Sequence, residues 1–266
     1  MLIATDLDGT LVGPDGTISA RTREAVRAAE AAGVPVVPVT ARQIYGLDAW
    51  RDDLGRWALC SNGAICWDLH SSTVLFRRPM PAELVAEFGG RLVDVAPGTK
   101  FVAIRDDGMT FAAEDGYAEL ASHSDHNLDP AQMSRLSRDE VWGADCLKLV
   151  ARHPTVPVTE LADLARGLDM PQVHVTTSGA PMLEVSPAAV TKDTGLQMLC
   201  DHLGVPHEET VAFGDGPNDV EMLRWAARSW AVANAVPAAR DAADHLAPSH
   251  AEDGVARVIE ELLAAR

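Results

Sequence analysis

Leu2-Ile3-Ala4-Thr5 runs without a break into Asp6-Leu7-Asp8-Gly9-Thr10. The first four residues predict a short buried strand. Side chains at i and i+2 of an extended chain share a side, so Asp6 and Asp8 are expected near one another at its end. Gly9 then lets the backbone turn. A pair of carboxylates at the carboxyl end of a strand is a candidate active site, and its weight depends on whether later stretches supply partners for it.

Outward from this stretch the pattern is strand, loop, helix. Ser19 is expected to cap a helix running to about Ala32, with Ala25, Val26, Ala29 and Ala32 on one face and Gly33 as the stop. Val34 to Val39 reads as a strand, and Pro35 and Pro38 suit its end better than its centre. It closes on Thr40-Ala41-Arg42. A helix is expected within Gln43 to Leu54, a buried strand at Trp57 to Cys60 ending on Ser61-Asn62-Gly63, and a hairpin from Ile65 to Leu69 and Val74 to Arg78 appended to the sheet.

From Pro81 the alternation stops. A helix to about Val95 is expected to break at Gly89-Gly90, followed by a hairpin of Phe101–Arg105 and Thr110–Ala113 around Asp106-Asp107-Gly108. Short helix and loop follow to Trp142, then a strand at Cys146–Ala151, a helix at Val158–Leu168, and an antiparallel pair, Gln172–Thr177 with Met182–Ser186. Alternation resumes with a helix at Lys192–Leu203, a strand at Thr210–Phe213, and Gly214-Asp215-Gly216-Pro217-Asn218-Asp219 opening a helix through Ala227. Trp230–Ala233 and His245–Ala247 read as strands, with helices near Ala235–Ala243 and from Glu252. The fold class is therefore α/β: a doubly wound parallel-sheet core from residues 1–80 and 187–266, with an α+β domain inserted at 81–186.

Composition narrows the function. The 266 residues are 47% apolar, enough for a packed core, and the net charge of −17 argues against nucleic acid or an anionic membrane as partner. Cys60, Cys66, Cys146 and Cys200 form no C-x-x-C pair, and Cys60 and Cys200 suit buried free thiols. No basic leader with an apolar stretch and no run of membrane-spanning length is read, so a cytoplasmic location is expected.

In open parallel sheets ligands bind beyond the carboxyl ends of the strands, where Asp6, Thr40, Asn62 and Asp215 fall. Asp6, Asp8, Asp215 and Asp219 offer hard oxygen ligands, which suit Mg²⁺. Lys192 is one of three lysines in the chain and stands at the start of a helix, where its ammonium could meet phosphate as a point charge. The Thr40 hydroxyl at a strand end could bind a phosphoryl oxygen.

With these motifs in order, the chain resembles haloacid-dehalogenase superfamily phosphatases of the Cof-type, subclass IIB, sugar-phosphatase-like branch, which carry a large α+β cap between the second and third motifs. Asp6-Leu7-Asp8-Gly9-Thr10 is similar to the first motif, Thr40 to the second, Lys192 to the third, and Gly214-Asp215-Gly216-Pro217-Asn218-Asp219 to the fourth. The resemblance implies that Asp6 is the nucleophile that forms an aspartyl-phosphate and Asp8 the general acid and base. It also implies Mg²⁺ held by Asp6, the backbone carbonyl of Asp8 and Asp215, with Asp219 orienting or joining that set, and a phosphoryl group held by Thr40, Lys192 and Asn218. The activity expected is Mg²⁺-dependent hydrolysis of a small phosphomonoester, a sugar phosphate or related metabolite, by a monomer or homodimer. The rivals are a phosphomutase using the same intermediate and a non-catalytic phosphate-binding or phospho-acceptor module.

Arg42, Asn62 and Glu184 are candidates for substrate contact. His123-Ser124-Asp125-His126 is expected to be solvated and to touch substrate rather than metal, and Lys148 to point away from Leu147, Leu149 and Val150 towards a cleft or water. Trp50 and Trp57 are read as core or interface aromatics.

Overall fold

A computed structural model describes residues 1–126 and 128–266. In chain order, β1 (Leu2–Thr5), α1 (Ala20–Ala31) and β2 (Val36–Pro38) lead to a run of 3₁₀ turns at Ile44–Asp53, then β3 (Trp57–Cys60), β4 (Ile65–Asp68) and β5 (Thr73–Arg77). Next come α2 (Ala82–Val95), β6 (Lys100–Arg105), β7 (Thr110–Ala113), α3 (His123–His126), α4 (Arg138–Trp142), β8 (Lys148–Arg152), α5 (Val158–Arg166), β9 (Val173–Thr176) and β10 (Leu183–Pro187). The chain closes with α6 (Lys192–Leu203), β11 (Thr210–Gly214), α7 (Val220–Trp225), β12 (Arg228–Val232), α8 (Pro237–Ala242), β13 (His245–Ala247) and α9 (Gly254–Ala264).

Two compact units form: Met1–Ala41, Leu47–Phe76 and Thr191–Arg266 make one, Arg42–Gly46 and Arg77–Val190 the other. The first is built on a parallel sheet of order β13-β12-β11-β1-β2. β1 is buried throughout, as a strand covered on both faces must be. Ser19 caps α1 by accepting from the Thr22 amide at 3.1 Å, a contact worth about 1 kcal/mol. Ala25, Val26 and Ala29 are buried on that helix, but Ala32 is exposed because the helix has already ended at Ala31.

β3 does not extend the parallel ladder. It forms a separate three-stranded sheet with β4 and β5 and meets β2 through a single bridge, Val39 with Leu59. The reason lies in β2. On the side away from β1, the Val36 amide is taken by the Glu30 carboxylate at 2.8 Å and Pro38 has no amide, which leaves Thr40 to donate to Leu59 O at 2.8 Å.

Three other expectations are corrected. The Gln43–Leu54 stretch winds as 3₁₀ turns, consistent with Gly46 and three aspartates among poor helix formers. α2 runs unbroken through Gly89-Gly90: a Cβ at Gly89 would lie 2.5 Å from the Trp142 ring, so the glycine admits a neighbouring helix rather than ending its own. α7 stops at Trp225 although Ala226 and Ala227 favour helix, because the Ala227 amide donates to Thr210 Oγ1 at 3.0 Å and β12 has begun by Arg228.

The second unit has an antiparallel sheet of order β7-β6-β8-β10-β9. Phe101, Ala103, Leu149, Ala151, Leu183 and Val185 share one face and pack with Val85, Phe88 and Leu161 of the helices. Val102, Ile104 and Val150 lie on the other face, in a core with Tyr117, Met133 and Met182. All four cysteines are free and buried, and among the described residues no helix is long and apolar enough to cross a membrane.

Candidate active site

Four side chains from three chain segments meet beyond the carboxyl ends of β1 and β11. Asp6 follows β1, its amide donating to Phe213 O at 3.0 Å across the sheet. Asp215 follows β11. Asp219 stands four residues on, where its Oδ2 accepts from the backbone amides of Asp215 at 2.9 Å and Gly216 at 2.8 Å. Lys192 opens α6 and is 1% exposed, its Nζ donating to Asp6 Oδ1 at 2.5 Å and to Asp219 Oδ1 at 2.6 Å.

Glycines make these approaches possible. Gly9 has φ +81°, and a Cβ there would lie 2.6 Å from Asp215 Oδ2. Gly63, at φ +87°, and Gly195 of α6 meet backbone to backbone: a Cβ on Gly195 would be 2.7 Å from Gly63 Cα. That contact sets the start of α6, and so Lys192, against the Ser61–Gly63 turn.

Thr40 and Asn62 join the site through a chain of hydrogen bonds. The Asn62 amide donates to Thr40 O at 2.9 Å, and Asn62 Oδ1 accepts from Asn218 Nδ2 at 3.0 Å. Asn62 holds a left-handed backbone, φ 56°, which asparagine tolerates better than most residues. All three side chains are buried.

The charges are unbalanced. Burial pushes the Asp6 carboxyl well above the usual carboxylate range; Lys192 pulls it down, while Asp219, Asp215 and Asp8 push it further up. Asp215 is pushed up to about 6, first by burial, with the Thr10 hydrogen bond working against the rise. For Lys192, burial alone would lower the ammonium pKa, but Asp219 and Asp6 outweigh it and hold the group above the usual lysine range. Three carboxylates around one ammonium leave an excess of negative charge, and the Asp6, Asp215 and Asp219 side chains can each offer an oxygen with all three inside 4.8 Å of one another. Hard oxygen donors at that spacing fit a small divalent cation of the Mg²⁺ kind.

The remaining sequence candidates have different surroundings. β1 ends at Thr5, so strand alternation does not extend to Asp8: Asp6 is buried while Asp8 is exposed in the turn. Arg42 and Glu184 belong to the second unit, with Arg42 donating to Gly46 O at 3.3 Å. Glu184 accepts from Lys148 Nζ at 2.9 Å and from Ser178 Oγ at 3.1 Å, in a buried pair. Lys148 therefore shares a face with Val150 and does not reach water. His126 is likewise buried, 2.8 Å from the Tyr117 hydroxyl through Nε2. The sequence reading passed over Thr10, whose hydroxyl donates to Asp215 Oδ1 at 2.7 Å, and Asn234, whose Nδ2 donates to Gly9 O at 2.7 Å. For Thr10 the signal was its place beside the acidic pair; Asn234 carries none that a single sequence reveals.

The description haloacid dehalogenase-like hydrolase belongs to the family model that matches residues 3–259. The chain belongs to that family. It is 28% identical over 287 aligned residues to the 5-amino-6-(5-phospho-D-ribitylamino)uracil phosphatase YwtE of Bacillus subtilis, with 98% of each chain covered. It is 26% identical to the pyridoxal phosphate phosphatase YbhA of Escherichia coli, with 97% of each covered. A solved structure of a HAD subclass IIB sugar phosphatase has the same fold, at a TM-score of 0.82 and 22% identity over 98% of both chains. Within the family the chain is an enzyme of the phosphatase type.

Proposed function

We propose that the protein is a Mg²⁺-dependent phosphohydrolase that cleaves a small phosphomonoester, a sugar phosphate or related metabolite, through an aspartyl-phosphate on Asp6. The observation that carries this reading is the Asp6 carboxylate, buried at the end of β1 with the Lys192 ammonium 2.5 Å away and Asp215 and Asp219 beside it. An anionic nucleophile meets a phosphate dianion with like-charge repulsion, so positive charge must stand on both sides of the transfer.

Asp6 attacks phosphorus through a carboxylate oxygen while the ester oxygen leaves with a proton from Asp8. Water, deprotonated by Asp8, then attacks the phosphorus of the aspartyl-phosphate and releases inorganic phosphate, restoring both carboxyl groups. Lys192 neutralises the transferring phosphoryl group, and Thr40 and Asn218, linked through Asn62, hold its oxygens. Mg²⁺ would be held by Asp6, Asp215 and the Asp8 carbonyl and would supply charge neutralisation and orientation of the phosphate. Asp219 already has one oxygen on two backbone amides and the other on Lys192, which favours an orienting role over a ligand position.

The test is phosphate release from a panel of sugar phosphates, nucleotides, pyridoxal phosphate, 5-amino-6-(5-phospho-D-ribitylamino)uracil and p-nitrophenyl phosphate, with Mg²⁺ and with EDTA. Turnover that needs Mg²⁺ and disappears on chelation is expected, and the best substrate assigns the role. No release from any member of the panel would overturn the reading.

A further inference from the structure

The backbone of the turn that carries Asp8 closes on a single acceptor. The amides of Thr10, Leu11 and Val12 all point at one carbonyl, that of Leu7, at 3.2, 3.1 and 2.9 Å. One oxygen with two lone pairs cannot satisfy three donors equally. On one flank the loop borders a cavity of about 250 Å³ lined by Leu11, Gly13, Asp15, Thr17 and His250.

Two side chains grip it from outside. Gly9 O accepts from Asn234 Nδ2 at 2.7 Å, and Val12 O takes a hydrogen bond from His250 Nδ1 at 3.0 Å. A carbonyl can only accept, so Nδ1 carries the proton. The two residues are tied to each other, since the His250 amide donates to Asn234 Oδ1 at 3.0 Å. Asn234 lies just after β12 and His250 just after β13, so both are anchored on the rigid sheet.

We propose that Asn234 and His250 form a bracket that positions the Asp8–Val12 turn for phosphoryl transfer. They are positioning residues, and the inference rests on the phosphohydrolase reading above. The bracket acts in two directions. It sets Asp8, one residue before the gripped Gly9 carbonyl. It also sets Gly9 and Thr10 against Asp215, which the Gly9 backbone approaches closely and the Thr10 hydroxyl holds at 2.7 Å. An error of about 1 Å in a reacting group can cost about a hundredfold in rate, so a loose turn should be visible in kcat.

The two bonds of Asn234 can be separated by substitution. Asn234→Asp keeps an acceptor for the His250 amide but has no donor for Gly9 O. For His250, asparagine can place its Nδ2 near the original Nδ1, whereas alanine cannot. With p-nitrophenyl phosphate and saturating Mg²⁺, Asn234→Asp and His250→Ala are expected to lower kcat by about ten- to a hundredfold with KM nearly unchanged. Amide hydrogen exchange at Thr10, Leu11 and Val12 should quicken in both, and His250→Asn should restore both rate and protection. Slow exchange and wild-type kcat in Asn234→Asp and His250→Ala would overturn the bracket, as would a His250→Asn protein as impaired as His250→Ala. If Asn234→Asp does not fold, the His250 pair decides by the same readings. Failure of the wild-type protein to release phosphate would sink the phosphohydrolase reading instead, and the exchange comparison would still test the bracket.

Discussion

Among the described residues two lysines are buried, one in each unit, and the carboxylates around them differ. Lys148 pairs with Glu184 on the sheet of the second unit, and Arg152 of the same strand pairs with Asp125. Lys192 bonds two carboxylates, and a third, Asp215, stands within reach of both. The Lys148–Glu184 bond sets one ammonium against one carboxylate. The cluster at Lys192 keeps the Asp6 and Asp215 carboxyl groups raised and is stabilised by a cation that supplies the missing positive charge.

The sharpest way to break this contrast is Asp6→Asn. The amide keeps the shape and removes the proposed nucleophile, so phosphate release is expected to fall by about four orders of magnitude or more, while the melting temperature holds because one of three repelling carboxylates has gone. Full activity in Asp6→Asn would remove the nucleophile assignment. In the second unit the matching experiment concerns stability. Lys148→Met leaves Glu184 buried without its cation and is expected to cost about 3–5 kcal/mol in denaturant unfolding, whereas Lys148→Met with Glu184→Leu should recover most of that loss. A double variant no more stable than the single one would mean that the cost of Lys148→Met does not come from the stranded Glu184 charge.

The same contrast explains what a single sequence could disclose. The parallel core was legible because its strands are short apolar runs that end in polar clusters, and the ends of β1 and β11 carry the acids that meet at Lys192. Its rarity among the basic residues singled that lysine out. The Lys148–Glu184 pair was not legible, because 36 residues and an antiparallel register separate its members and neither sits in a motif. Gly89 misled for a related reason: in sequence a glycine in a helix reads as a break, while in space it marks where Trp142 comes close. Asp8 shows the limit of strand periodicity, which holds only as far as the strand does.

His126 tests the second unit by pH. Burial first, then the charges of Lys148 and Arg152, lower its pKa to about 4, against partial compensation from Asp125 and Glu184. In the unfolded chain the imidazole titrates near 6.5. Above that pH neither state binds the proton and stability is unaffected. As pH falls from about 6.5 to 4 the unfolded state takes up a proton that the folded state refuses, so stability falls with falling pH, by about 3 kcal/mol at the lower end. The difference in unfolding free energy between pH 7.5 and pH 4.5 should be smaller in His126→Gln than in the wild type. Equal differences would mean that His126 is protonated without cost in the fold.

The smallest effect is the one that addresses the charge imbalance directly. A ligand that binds only the folded state stabilises it by about 2.7 kcal/mol at a hundred times its dissociation constant. Mg²⁺ is therefore expected to raise the melting temperature of the wild-type protein without any substrate present, because it relieves repulsion among Asp6, Asp215 and Asp219 that one lysine leaves uncancelled. Asp215→Asn should lose most of that increment, since it removes a proposed ligand oxygen and part of the repulsion at once. Glu184→Gln should keep the increment in full even though its own baseline stability is lower, because the carboxylate it removes is bonded to Lys148 and not to Lys192. If Mg²⁺ stabilised Asp215→Asn and the wild type alike, the cation would be binding somewhere other than this cluster, and the distinction between the two lysines would have to rest on something other than charge.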